Sequence, residues 1–230
     1  MMNSWEYAQI VSDVKGALSP AGTRSYNSPV RDESARRTRL RIITAAHPLL
    51  LERGFAQCSV TDIAAAAGVA RPTVLTVFGT KANLLHAVVD HAMAGDDEPT
   101  PVAEHPWFLP VFAATSQGAC LDAYAHVCLL IARRSAAVIE LVRRASDASS
   151  EISDLWDQLQ RNRRAGAAMV VQQLREIGPL SPGLTTSRAT DALWTFNDSA
   201  KYSALVTVCG WSEKAFERWL ASQMRHALRI

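Results

Sequence analysis

The sequence predicts an all-α chain in two parts, a small N-terminal three-helix unit and a larger helical bundle. Three observations carry this reading. Alanine-rich segments place apolar residues at helical spacing, and no period-two alternation of the kind a half-buried strand needs stands out. Proline and glycine clusters at residues 94–106 and 178–183 divide the chain into long segments. The stretch Ser59–Lys81 reads as two short helices around a tight turn, followed by the start of a third.

The composition bounds the class. Of the 230 residues, 48% are apolar and 20% charged, as in an ordinary soluble globular protein. The net charge of +2 is too small to imply a nucleic-acid partner alone. Its distribution says more: residues 31–91 hold eight basic against five acidic side chains, a net of +3, while residues 92–230 hold fourteen against fifteen, a net of −1. A local basic excess attracts phosphate. Cys58, Cys120, Cys128 and Cys209 show neither CxxC pairing nor zinc spacing. With no N-terminal apolar region of signal type and no long uncharged apolar run, the expectation is a reduced, cytoplasmic protein without a membrane span.

Residues 1–30 form an arm. Trp5, Tyr7, Ile10, Val11, Val14 and Leu18 have roughly helical spacing, and Pro20, Gly22 and Pro29 make the rest a linker. Residues 33–53 form the first core helix, with Leu40, Ile43, Ala46, Leu50 and Leu51 turned inward. Arg53-Gly54-Phe55 ends it with a cation, a left-handed glycine and a closing apolar residue. Pro48 removes one backbone hydrogen bond and is expected to kink this helix. Arg36, Arg37, Arg39 and Arg41 cluster near its start, where a solvated basic face is the plain reading and an anion partner the sharper one.

Ser59 and Asp62 have capping-box spacing. Val60, Ile63, Ala64 and Ala67 then give the next helix an apolar face, and Gly68 ends it. Pro72 falls in the first turn of the following helix, where no backbone N–H is needed. Val74 and Phe78 face inward, Gly79 stops the helix, and Thr80 caps another whose buried side is Leu84, Leu85, Val88 and Val89. Two helices of about two turns joined by a glycine turn make a helix-turn-helix, whose second helix is presented to the DNA major groove. Helices this short need a third behind them, and residues 33–53 supply it.

These residues resemble a known family. Arg39-Leu40-Arg41-Ile42-Ile43, Glu52-Arg53-Gly54-Phe55, Ser59-Val60-Thr61-Asp62-Ile63-Ala64 and Ala67-Gly68-Val69 are similar to the N-terminal domain of TetR-type transcriptional repressors. So are Pro72-Thr73-Val74, Phe78 and Lys81-Ala82-Asn83-Leu84-Leu85, an ungapped match over about residues 35–92. The resemblance implies that Thr61 touches a phosphate, that Arg71, Thr73 and Thr76 face the groove, and that Lys81 holds a phosphate at the start of the fourth helix. Pro72 and Arg37 complete the DNA-binding set. Where the family usually has a phosphate-contacting tyrosine this chain has Leu75, and where it usually has histidine, Val77. Neither can hydrogen-bond to DNA, which weakens affinity or substitutes contact with thymine methyl groups.

Residues 94–106 connect to the second part, so the domains are 1–30, 31–93 and 94–230. Helical segments follow at Trp107–Thr115, at Gln117 to about Ala145 (long but broken), at Ser150 to about Ile177, at Ser187–Val208 with an interruption at Asn197-Asp198, and at Ser212–Leu228. Cys209-Gly210-Trp211-Ser212 with Phe216-Glu217-Arg218-Trp219-Leu220 also resembles the ends of many TetR-type regulators, though less specifically. Trp107, Phe108, Phe112, Tyr124, Trp156, Met169 and Trp194 come from different helices. They are the candidate lining of a ligand cavity, the plainer alternative being core packing. His86 and Asp90 are four apart but have no third ligand on their face, so no metal or other cofactor is expected. No GxSxG, P-loop, GxGxxG or HExxH motif is present, so no enzyme is expected.

The function these features imply is a ligand-responsive transcriptional regulator, acting as a repressor. It binds a two-fold double-stranded DNA operator as a homodimer and answers to an unidentified small-molecule effector. The alternative is a small-molecule binding or interaction protein on the same fold with weakened DNA recognition. Residues 187–228 are expected to bury most of the dimer interface through Leu193, Ala204, Leu205, Val208, Phe216, Trp219 and Leu220.

Overall fold

The computed structural model describes residues 29–96 and 100–230, so the expected arm over residues 1–30 lies, up to residue 28, outside them. Every regular element among the described residues is helical. Thr38–Ile230 form one compact unit, and the stretch ending at Arg37 is another. In the latter, Arg36 and Arg37 both reach the Glu33 carboxylate, at 3.2 and 2.9 Å, and these two cations hold that carboxyl below its usual range.

Helix α1 spans Pro29–Gln57, longer at both ends than its apolar stripe suggests. Gly54 breaks it, with φ 77° and ψ 164°: the positive φ expected of a terminating glycine, but with an extended ψ. Pro48 lies inside α1, and Gly54 is the position with non-helical dihedral angles, so the backbone does not leave the helical region at the proline. Pro48 and Thr44 are both exposed, so the hydrogen bond that the proline removes lies on the outer side of α1, where such a loss costs least.

Helices α2 (Val60–Ala66) and α3 (Arg71–Phe78) meet at 107°, within the range of a helix-turn-helix. The capping box at the start of α2 forms as expected: Ser59 Oγ accepts from the Asp62 N–H, and Asp62 Oδ2 accepts from the Ser59 N–H, both at 3.1 Å. Such a cap stabilises by about 1 kcal/mol. Gly68 at the turn has φ 62°, a conformation costly for a residue with a Cβ. Helix α4 (Lys81–Ala94) begins at Thr80, whose hydroxyl accepts from the Asn83 N–H, and ends at a left-handed Gly95.

A 3₁₀ turn at Val102–Glu104 and the short α5 (Leu109–Ala113) follow. Helix α6 (Gln117–Ala145) is continuous rather than broken, since it has no proline and its glycine, Gly118, lies in the first turn. A turn at Ser146–Ala148 leads to α7 (Ser150–Ile177). Helix α8 (Thr186–Phe196) stops at Asn197, the expected interruption. The chain resumes as α9 (Ala200–Tyr202), widens into a π-helical turn at Ser203–Val208, and ends with α10 (Glu213–Leu228).

Two apolar cores organise these helices. The first joins Ile42, Leu50, Ile63, Val74, Phe78, Leu84 and Leu85 to Val138 and Val142 of α6 and to Ile152, Leu155 and Leu159 of α7. The second joins Leu121, Tyr124 and Val127 of α6 and Ala167, Val170 and Leu174 of α7 to Leu193, Phe216, Leu220 and Met224. Helices α6 and α7 therefore run through both cores. A displacement of either helix is felt in both, because close-packed interiors resist local deformation.

Candidate functional site

Two buried side chains set the orientation of α3. Val74 and Phe78, one turn apart, anchor it to the first core, so the opposite face, centred on Pro72 and Thr76, is exposed. Arg71 is exposed at its first residue and Thr73 is half-buried on one flank. Thr61 is exposed in the first turn of α2. These sequence-predicted residues thus stand on the surface of the helix-turn-helix. Arg37 lies in the unit that ends with it, where its Nε donates to Glu33.

Leu75 and Val77 differ in what they touch. Val77 packs against the first core, whereas Leu75 is half-exposed and is in neither the first core nor its packed rim. The apolar departure that bears on a groove-facing role is therefore Leu75.

Most cations around this motif are engaged within the protein. Arg41 Nη2 donates to the carbonyls of Ala67 (2.6 Å) and Gly68 (3.1 Å), bracing the turn between α2 and α3. The Arg39 guanidinium lies 4.8 Å from the centre of the Phe78 ring. Arg53 stands 3.5 Å from the Asp62 carboxylate, whose pKa is lowered chiefly by its hydrogen bonds from Ser59 and also by that arginine. Lys81 Nζ donates to the carbonyls of Phe55 (2.7 Å) and Cys58 (3.1 Å) and sits over the Phe55 ring. An ammonium has three donors, so two such bonds leave one for a phosphate. The Arg71 side chain, by contrast, makes no hydrogen bond or ion pair among the described residues. Sequence patterns read the arginine cluster as a surface face and missed the brace role of Arg41, which spans 26 positions to Ala67.

The seven aromatic and sulfur side chains singled out in the second part do not all gather. Phe108 and Tyr124 belong to the second core, and Trp107, Met169 and Trp194 pack against it. The exposed Phe112 ring lies 5.3 Å from that of Phe108. Trp156 packs against the first core instead, because the early turns of α7, with Ile152, Leu155 and Leu159, belong to that core.

Sequence reading missed a polar network beside this second core. Arg163, 12% exposed, donates from Nη1 to Gln160 Oε1 (2.6 Å), from Nη2 to the Trp194 carbonyl (3.0 Å) and from Nε to Asn197 Oδ1 (3.2 Å). Asn197 Nδ2 donates to the Tyr124 hydroxyl (2.8 Å) and the Arg163 carbonyl (3.1 Å). Asp198 stands 3.7 Å from the guanidinium. Burial pushes the Cys128 thiol up to about 12 and the Tyr124 phenol well above its ordinary value, so both stay protonated. The signal for this site was the interruption at Asn197-Asp198, whose side chains complete the network.

The dimerisation stripe expected from the sequence divides in the same way. Leu193, Phe216 and Leu220 are buried in the subunit's own core, so they are not free to meet a second copy. Leu205 and Trp219 are half-buried, Ala204 is exposed, and Val208 is 81% exposed. His86 and Asp90 pair with each other at 3.6 Å, and no three potential metal ligands stand together among the described residues. No single helix there is long and apolar enough to cross a membrane.

Residues 42–88 match the family model of the bacterial regulatory proteins, tetR family. No curated protein matches the chain significantly by sequence. Solved structures do match by fold. NalD of Pseudomonas aeruginosa, the secondary repressor of the MexAB-OprM multidrug efflux pump, superposes with a TM-score of 0.63 at 19% identity, over 85% of this chain and 98% of that one. The fatty acid degradation regulator FadR of Bacillus halodurans gives 0.64 at 17%, over 87% and 96%. FadR of Bacillus subtilis in complex with stearoyl-CoA gives 0.63 at 16%, over 80% and 96%. At these identities the likeness is one of fold.

Proposed function

We propose that this chain, which has a tetR-family helix-turn-helix and the fold of tetR-family transcriptional regulators, is a ligand-responsive repressor that binds a two-fold operator as a homodimer. The observation that carries this reading is the outward face of α3, where Arg71, Pro72 and Thr76 are exposed on a helix anchored from behind by Val74 and Phe78. In this reading Arg71 and the threonines meet base edges and phosphates, Thr61 and the third donor of Lys81 fix the backbone, and Leu75 contacts thymine methyl groups. One such helix makes few base contacts, so two half-sites about 34–36 Å apart, or a multiple, are engaged by two copies. The exposed faces of residues 204–211 and α10 are the surface on which the second copy sits.

Signal transmission follows from α6 and α7. A small molecule bound in the second core that prefers one placement of these helices shifts the first core with them, and with it the separation of the recognition helices. The effector acts only as far as it binds the released conformer better than the DNA-bound one. Supporting this reading, NalD is a repressor and the Bacillus subtilis FadR structure holds stearoyl-CoA. One observation favours the alternative of a binding protein with weak DNA recognition: Arg39, Arg41, Arg53 and Lys81 all have internal partners. A salt-titrated shift assay on the chain's own upstream DNA separates the two. Specific binding that weakens steeply with salt supports the repressor, and equal weak binding to any duplex supports the alternative.

A further inference from the structure

We infer that the effector carries a carboxylate, bound by Arg163, Gln160 and Trp194 where α7 passes from one core to the other. The inference rests on the reading that the second core takes a small molecule. Among the described residues, two buried side-chain atoms lack a hydrogen-bond partner, Gln160 Nε2 and Trp194 Nε1. Both are donors and both stand beside Arg163. Gln160 accepts from the guanidinium through its own Oε1, and the Trp194 ring centre is 5.8 Å from the guanidinium carbon. The two side-chain atoms left wholly without a partner at this spot are therefore both donors. A buried donor left unmet is costly, and an acceptor brought within its reach offsets that cost.

The charges point the same way. Asp198 favours the charged forms of both Arg163 and the partly buried Lys201, while Arg163 opposes that of Lys201. Burial disfavours the charged form of both cations, which an added anion offsets. A carboxylate supplies acceptor oxygens and a negative charge, the chemistry that two unpartnered donors beside a buried guanidinium call for. A primary amide of the same shape fits poorly, since its NH₂ meets donors. The apolar remainder of the ligand lies against the second core, whose rim includes Trp194 and Met169. Arg163 sits between Leu159 of the first core and Ala167 of the second, so a ligand held there acts on the stretch of α7 that joins them.

The test uses the full-length protein, titrated calorimetrically with sodium octanoate and sodium 4-phenylbutyrate, each against its primary amide, with upstream DNA binding measured in parallel. At least one acid binds tenfold or more tightly than its amide. Trp194→Phe, which removes the indole N–H, weakens that acid three- to tenfold and the amide by less. Arg163→Gln, checked for folding by thermal melting, abolishes the preference. Equal binding of acids and amides, no binding of either, or acid affinity untouched by Trp194→Phe overturns the inference. So does a crystal structure grown with the acid in which water alone meets both nitrogens. Release of DNA by the neutral amides as readily as by the acids removes the carboxylate while leaving a ligand-responsive regulator. Absence of any specific DNA binding removes the regulator instead.

Discussion

The Lys81 ammonium lies 2.7 Å from the backbone carbonyl of Phe55 and 4.3 Å from the centre of its ring. The same nitrogen reaches the Cys58 carbonyl, so one side chain from the start of α4 ties down the last turn of α1 after Gly54. Lys81→Ala is predicted to cost roughly 1–3 kcal/mol of stability, the scale of charge-assisted hydrogen bonds, before any DNA is added. Urea denaturation checks this. If Lys81 also reaches a phosphate, the variant lowers the salt slope of DNA binding by about one and weakens all sequences alike. Unchanged stability removes the brace, and an unchanged slope removes the phosphate contact.

Arg41 and Gly68 make a second brace. Gly68 has φ 62°, and a Cβ built on it would stand 3.3 Å from Arg41 Nη2. Gly68→Ala therefore adds backbone strain and presses on the group that holds the turn. A loss of about 1–2 kcal/mol is expected. Arg41→Gln is expected to destabilise the same turn, seen as faster amide exchange in α2 than in α10. Equal exchange in the variant and the parent contradicts the brace.

A pH dependence follows from His47. Burial lowers its pKa first, and the nearby His91 lowers it further. With a folded value below the unfolded one of about 6.5, the unfolded chain binds more protons, so stability is fully present above that value. It falls as pH drops from about 6.5 through the folded pKa. The thermal midpoint is predicted to decline between pH 7.5 and 5.5, and His47→Gln to flatten that decline. An identical slope in the variant rules out His47 as its source.

The exposed apolar residues near the C-terminal end bear on assembly. Val208 is 81% exposed, and Trp211, 37% exposed, meets Trp219 edge-on. Val208→Asp is predicted to leave the fold intact and to weaken a homodimer at least tenfold, read by sedimentation equilibrium. Leu220→Ala, buried within the subunit, is predicted to cost about 2–5 kcal/mol of stability instead. A Val208→Asp protein that associates as tightly as the parent excludes this surface.

What the sequence made legible was largely local. The Ser59–Asp62 capping box, Gly68, Gly79 and the apolar positions of α2, α3 and α4 act within a few residues of one another, and each stands where its spacing put it. Helical periodicity also marked the ends of α6 and α7, but it reports which face is buried and not against what. Trp156, grouped by spacing with the aromatics of the bundle, packs against the first core, and Leu193, Phe216 and Leu220, whose stripe suits an interface or the subunit's own core, lie in that core. The brace contacts of Arg41 and Lys81 span 23 to 27 positions, and the bond of Asn197 to Tyr124 spans 73. No spacing rule reaches that far, so a functional arginine and a structural one look alike in the sequence.

The face of α3 gives the central claim its sharpest form. Thr76 is exposed at the middle of that face, on a helix that the buried Val74 and Phe78 hold in place. The deciding measurement is the affinity of the protein for its own upstream DNA, across operator base variants and salt concentrations, with and without Thr76→Ala. The regulator account predicts binding to the two-fold site about a thousandfold or more above a scrambled duplex. It predicts a steep loss with salt, and a Thr76→Ala change confined to particular base pairs. Equal affinity for both duplexes, or the same fractional loss from Thr76→Ala on every variant, contradicts it.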